Sequence, residues 1–241
     1  MLPLLTGTLQ QTIQFAPSSA AIALKPPQWT FPQAASLPLV FLTARTCIAA
    51  VTPYLSPTSP QPHVAILGGS SATGIYTIQL ARKKGWTILS TCSNRNTAFV
   101  HSLGADTVVD YTSSSVPDAL RAFKPDAIID CVGGTVCLGL APRYVTIAGD
   151  KTSRANMGGA ATYLWNPRMV LRSLLGKVGL GGSYDCVNLE VKGRFLEEAL
   201  GLDAGGIVVD SVFGFGEVKE AFARLNTGRA RGKVVVSVDE G

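Results

Sequence analysis

The first 105 residues of this 241-residue chain contain no aspartate and no glutamate. All 16 acidic residues lie at or after Asp106, where they stand against 15 of the 21 basic ones. The acid-free stretch carries six cations: Lys25, Arg45, Arg82, Lys83, Lys84 and Arg95. Carboxylate catalysis or carboxylate metal binding must therefore draw on the second part of the chain. Histidine is scarce too, with only His63 and His101. The five cysteines (Cys47, Cys92, Cys131, Cys137, Cys186) are dispersed without C-x-x-C spacing. No His or Cys pair has metal-ligand spacing, which argues against a zinc site. An odd, scattered cysteine set reads as reduced and intracellular. No apolar run approaches the ~18 residues of a membrane span, and the opening MLPLL is too short for a signal core. A soluble cytosolic protein is the expectation. Charged residues make up only 15% and hydrophobic ones 46%, a balance opposite to that of a disordered chain.

Ten of the 14 prolines precede residue 63. They set an irregular first part, residues 1–62, apart from the remainder of the chain. In it the pattern predicts a short strand near Thr12–Phe15, a helical turn over Pro32–Ser36, a helix from Thr43 to about Tyr54, and a stiff connector at Pro57, Pro60 and Pro62. From His63 onward strands and helices alternate. Strands are predicted at 64–67, 87–91, 107–110, 127–132, 144–147, 178–180 and 234–238. Helices are predicted at 72–84, 96–103, 117–123, 168–175, 189–200 and 217–225. Such alternation implies an α/β fold, a doubly wound parallel sheet of Rossmann type with helices on both faces. The expected boundaries are 1–62, 63–205 for the sheet domain, and 206–241 for a C-terminal helix and strand packing back toward the N-terminal part.

The first predicted strand runs into Gly68-Gly69-Ser70-Ser71-Ala72-Thr73-Gly74 and then a helix. A pyrophosphate needs small residues there, so that backbone N–H groups and the positive helix end can approach it. Gly69, Ser71 and Gly74 occupy the three glycine positions of G-x-G-x-x-G, the middle one being serine. The strand–loop–helix context favours a dinucleotide over a ligand-free tight turn. An NAD site would keep an acid ~20 residues further on to hold the ribose hydroxyls. Here the segment reads Thr91-Cys92-Ser93-Asn94-Arg95-Asn96, with no carboxylate. Ser93 can hydrogen-bond and Arg95 can grip a phosphate through two parallel bonds, which points to NADPH.

Other chemistries fit worse. Ile75 stands where a Walker lysine would follow Gly74. There is no G-x-S-x-G elbow, and no tyrosine is followed four residues on by lysine. His101 reads as a surface residue. The basic run 228–233 lacks the aromatics of a nucleic-acid surface.

Taken together, several segments resemble the medium-chain dehydrogenase/reductase superfamily, in its zinc-free quinone-oxidoreductase-like branch, which includes fungal trans-acting enoyl reductases. They are 34–39 with 42–44, Gly68–Gly74 with Ile78–Ala81, Leu103–Asp106 with Asp110-Tyr111, Asp130–Gly134, and the tail Gly228–Val236. The resemblance covers about residues 12–238. It implies NADPH-dependent hydride transfer to a quinone or an activated C=C bond of a small-molecule substrate. It places Thr43 beside the nicotinamide as an orienting group and Tyr111 at the adenosine. It also lines the nicotinamide channel with Val132, Gly133, Gly134, Ala148 and Gly149, closes Lys233 over the cofactor, and implies pairing of copies along the sheet edge. The family begins with a GroES-like β-domain, of which this chain carries a remnant in Leu9–Phe15. A non-catalytic module that binds NADPH or a partner chain is the alternative expectation.

Overall fold

In the computed structural model, Thr12 and residues 21–55, 61–150, 166–187 and 189–238 are described. The strand expected near Thr12–Phe15, Thr12 itself apart, and most of the proline connector lie outside these residues. The chain divides into two compact units, one of Met1–Leu42 with Leu189–Gly241, the other of Thr43–Asn188.

The second unit is built on a six-stranded parallel sheet: β1 (His63–Leu67), β2 (Thr87–Cys92), β3 (Thr107–Asp110), β4 (Ala127–Asp130), β5 (Arg143–Thr146) and β6 (Ser183–Cys186). The strand order is β3-β2-β1-β4-β5-β6, with every pair parallel. The order reverses between β1 and β4, so the carboxyl ends of those two strands open a crevice at the switch point. Val64, Ala65 and Ile66 of β1 and Ile128 and Ile129 of β4 are fully buried. This is the continuous apolar run that a strand covered on both faces requires. One face packs Ile66, Ile78, Ile88, Ile129 and Val145 with Cys47, Ile48 and Val51. The opposite face packs Ala65, Leu89, Leu120, Ile128, Tyr144 and Met169.

The helices follow their capping chemistry. α1 (Phe31–Ser36) starts at Thr30, whose hydroxyl accepts from Gln33 N while the Gln33 side chain accepts from Thr30 N, a reciprocal capping box. α2 (Pro38–Val51) begins at Pro38, five residues before the predicted start at Thr43. Proline at a first helical turn gives up no hydrogen bond and sets φ for the helix, so Pro38 can open the element. α3 (Ala72–Lys83) is capped by Ser71, with Arg82 and Lys83 in its last turn, where cations suit the dipole. α4 (Thr97–Ser102) and α5 (Val116–Phe123) cover the sheet, and α6 (Pro167–Lys177) leads to β6.

The sixth strand differs from expectation. Val178-Gly179-Leu180 is the turn that follows α6, with Gly179 at φ +75°, and β6 is Ser-Tyr-Asp-Cys. β6 is an edge strand whose polar residues have a buried partner. Arg143, at the start of β5, donates to Ser183 Oγ at 2.7 Å, to Asp185 Oδ2 at 2.6 Å and to the Ala50 carbonyl at 3.2 Å. Its guanidinium also lies 4.2 Å from the centre of the Tyr54 ring. Apolar periodicity is blind to a strand recruited by an arginine.

The other unit contains α1 and the segment from residue 189. There α7 (Gly193–Ala199) precedes a βαβ crossover of β7 (Val209–Gly214), α8 (Val218–Asn226) and β8 (Lys233–Ser237), with β7 and β8 parallel. Residues 209–214 carry no expected strand, because Val-Asp-Ser-Val-Phe-Gly breaks both strand templates. Asp210 explains its polar position. Its carboxylate accepts from Arg224 of α8 at 2.7 and 2.8 Å and from Arg231 N at 2.7 Å, joining β7 to α8 and to the turn before β8. These partners, Arg224 first, lower the Asp210 carboxyl from the usual 3.8 to about 2. A depressed folded-state value stabilises above the unfolded value, and the gain disappears as pH falls from 3.8 through about 2. Asp210→Asn is expected to cost this unit roughly 2 kcal/mol at pH 7 and far less near pH 2. Urea denaturation at the two pH values checks this, and an equal cost at both would contradict it.

Candidate functional site

The loop after β1 combines a tight backbone turn with a helix start. Gly68 takes φ +82°, and a side chain there would meet Val132 Cγ2 at 2.6 Å, so the loops after β1 and β4 touch. Gly69 and Gly74 are small because of packing. A Cβ on Gly69 would meet Ser90 Oγ at 2.2 Å, and one on Gly74 would meet the Gly68 carbonyl oxygen at 2.2 Å. Ser71 replaces the middle glycine and uses its side chain as a cap, accepting from Gly74 N at 3.0 Å. Gly68 N donates to Thr91 Oγ1 and Gly69 N to the Thr91 carbonyl, both at 2.9 Å, fastening the loop to β2. Among the described residues the backbone N–H groups of Ser70, Ala72 and Thr73 have no protein partner. Three such donors at the positive end of a 12-residue helix form an anion cradle.

At the end of β2, Asn96 is buried and donates from Nδ2 to Ser70 Oγ at 3.2 Å and to Ser93 Oγ at 3.4 Å. It joins the cradle to the segment in which a ribose carboxylate would otherwise stand. Arg95 is exposed and makes no ion pair among the described residues. Tyr111 follows β3, with its N–H on the Cys92 carbonyl and its ring exposed. The nearby Asp110 carboxyl is held below its ordinary range, chiefly by the Thr112 hydroxyl and N–H. That charge is committed to its own turn.

At the ends of β4 and β5 stand Val132, Gly133, Gly134, Ala148 and Gly149. Gly133, Gly134 and Gly149 take positive φ. Gly134 N donates to the Gly149 carbonyl at 3.0 Å, which links the two loops. Beneath them lies Asp130, fully buried. Its Oδ1 accepts from Val132 N at 2.8 Å and Gly133 N at 2.9 Å, and its Oδ2 accepts from Thr146 Oγ1 at 3.0 Å. Thr146 Oγ1 in turn accepts from Ala148 N at 3.2 Å and Gly149 N at 3.0 Å. Further along, Arg172 holds Asp150 at 2.8 and 3.3 Å. Burial, with Asp130 adding to it, pushes the Tyr144 phenol far up. Burial likewise raises Cys131, and Cys47 to about 12, so these thiols remain protonated and are not nucleophiles.

The sheet thus brings together the residues expected at the loops after β1 to β5. Thr43 is half-buried in α2, one turn before Cys47, whose apolar cluster includes Cys131 at the root of the β4 loop. Lys233 opens β8 in the other compact unit. Sequence reasoning missed Thr146 and Asn96's bridging role, and it treated Asp130 only as part of a motif. The one available signal was an acid ending an apolar strand just before two glycines.

A six-stranded parallel sheet in this order, with helices on both faces and a crevice at its switch point, defines a doubly wound, Rossmann-type α/β fold. A family model described as zinc-binding dehydrogenase matches residues 103–236, and the chain belongs to that family. It is 34% identical over 245 residues to the mitochondrial NAD(P)H oxidoreductase RTN4IP1 of Mus musculus, covering 96% of this chain and 61% of that protein. It is 37% identical over 191 residues to the trans-enoyl reductase poxH of Penicillium oxalicum, covering 72% of this chain and 49% of that one. Among solved structures, the quinone oxidoreductase from Coxiella burnetii superposes with a TM-score of 0.68 at 27% identity, over 90% of this chain and 64% of the other. The chain therefore spans about 61% of the length of the mouse relative. Among the described residues no group of three or more His, Cys, Asp or Glu side chains could hold a metal ion.

Proposed function

We propose that the chain binds NADPH across the carboxyl ends of β1, β2, β4 and β5 and serves zinc-independent reduction of a quinone or an activated C=C bond. The observation that carries this reading is the cradle of three unpartnered N–H groups at Ser70, Ala72 and Thr73. The relatives named as NAD(P)H oxidoreductase, trans-enoyl reductase and quinone oxidoreductase support it.

Bound NADPH would supply the hydride. The cradle would hold the pyrophosphate, with Gly69 and Gly74 keeping strand and helix close enough to form it. Ser93 and Arg95 would hold the 2′-phosphate, and Asn96 would keep Ser93 in register with Ser70. Tyr111 would flank the adenosine. Val132, Gly133, Gly134, Ala148 and Gly149 would shape the nicotinamide channel. Thr43 would orient the acceptor.

Calorimetry with NADPH and NADH, paired with turnover assays on simple quinones and enals, tests this reading. The wild-type chain should bind NADPH the more tightly. Arg95→Ala should weaken NADPH by about tenfold, the worth of a charge-assisted phosphate contact, and leave NADH within twofold. Equal binding of both cofactors by the wild type would defeat the NADPH assignment. Tight NADPH binding without turnover on any acceptor would favour a non-catalytic binding module.

A further inference from the structure

Asp130 and Thr146 are buried, yet every backbone group that their side chains bind belongs to the two loops ending β4 and β5. The directions of these bonds are forced. Thr146 Oγ1 already accepts from two backbone N–H groups, Ala148 and Gly149, so its own hydrogen must go to Asp130 Oδ2. Asp130 Oδ1 is filled by Val132 N and Gly133 N. The Tyr144 phenol nearby is kept protonated, by its burial first and by the Asp130 charge in addition. The carboxylate therefore acts only as an acceptor, and the Thr146 hydroxyl passes its pull from one loop to the other. A direct bond from Gly134 N to the Gly149 carbonyl closes the circuit.

We infer that Asp130 and Thr146 are a positioning pair that sets the affinity of the chain for the nicotinamide half of the dinucleotide. The inference rests on the cofactor reading above. In a doubly wound sheet each half of the strand set holds one half of the dinucleotide across the switch point. The cradle, Asn96 and Arg95 belong to the β1–β3 half. The loops that the pair ties together end β4 and β5 and so serve the other half. Three glycines at positive φ make these loops pliable, and the pair is what holds them in one shape.

The forced polarity makes the inference testable with near-isosteric variants. Thr146→Val keeps the shape and β-propensity of the strand residue but removes the relay oxygen. Asp130→Asn keeps the size but turns an N–H₂ group toward an oxygen that already accepts two donors, or toward the two loop N–H groups. Thr146→Ser keeps the hydroxyl. Calorimetry on the full chain would compare NADPH with 2′,5′-ADP, which carries the adenosine half alone. Thr146→Val and Asp130→Asn should weaken NADPH about tenfold or more and leave 2′,5′-ADP within twofold, as expected for lost hydrogen bonds to a charged group. Thr146→Ser should stay near wild type for both ligands. Unchanged NADPH affinity in Thr146→Val and Asp130→Asn would overturn the inference. So would equal weakening of both ligands, which would mark a purely structural role, or failure of serine to rescue. A wild-type chain that binds neither ligand would remove the cofactor reading itself. One that binds 2′,5′-ADP as tightly as NADPH would keep that reading and reject the positioning pair.

Discussion

Gly74→Ala should lower the unfolding free energy by about 3 kcal/mol, at the upper end of the range for overpacking a closed contact. The added methyl would lie 2.2 Å from the Gly68 carbonyl oxygen, 3.0 Å from the Gly68 carbonyl carbon and 2.9 Å from Ser71 Oγ. Two of those three atoms are backbone and cannot swing aside, so α3 must move off β1. That movement opens the cradle at Ser70, Ala72 and Thr73, and NADPH affinity should fall with stability. In a chain of this length the midpoint should drop by roughly 10 °C. Gly85→Ala is the control. Gly85 also takes a positive φ, +73°, but a methyl there would meet nothing within 4 Å. It should cost only the ~1 kcal/mol of a left-handed alanine. Thermal denaturation of both variants separates steric from conformational cost. A Gly74→Ala midpoint as high as that of Gly85→Ala would refute the packing account.

Arg143→Met should cost a similar amount, about 3 kcal/mol, in line with breaking a buried ion pair by removing one partner. Arg143 is only 3% exposed, and Asp185 is 33% exposed. The guanidinium serves three acceptors in different directions and stacks on Tyr54, so a smaller or non-planar cation cannot replace it. Arg143→Lys should therefore recover less than half of the loss. Asp185→Asn should be milder, about 1 kcal/mol, because Arg143 keeps Ser183 and the Ala50 carbonyl. Urea denaturation of the single variants and the double variant gives the coupling energy. A coupling near zero would mean that β6 is held by its backbone ladder alone.

These two sites mark how far the sequence could be read. The glycine loop, the missing acid at 93–96 and the alternation of strand and helix were legible, because each rests on residues close together in the chain. The run Val64–Leu67 could only be a strand buried on both faces, and the loop after it could only be a turn into a helix. Residues 178–180 misled for the same reason. Their apolar character resembles a strand, but the edge position went to Ser183–Cys186, because Arg143, some 40 residues away, supplies the partner that makes a polar strand stable there. Val209–Gly214 became a strand because Asp210 meets Arg224 and Arg231 N.

The candidate site divides along the same line. Its glycine loop was visible in 68–74, where spacing along one strand–turn–helix unit dictates backbone geometry. The contact that ties the loops after β4 and β5 was not, because Asp130 and Thr146 lie 16 residues apart on neighbouring strands. They meet only through the β4–β5 register that sets one opposite the other. Local sterics and apolar periodicity are written into consecutive residues. The direction of a buried hydrogen bond depends on which strands become neighbours, and that is decided by the packing of the whole sheet.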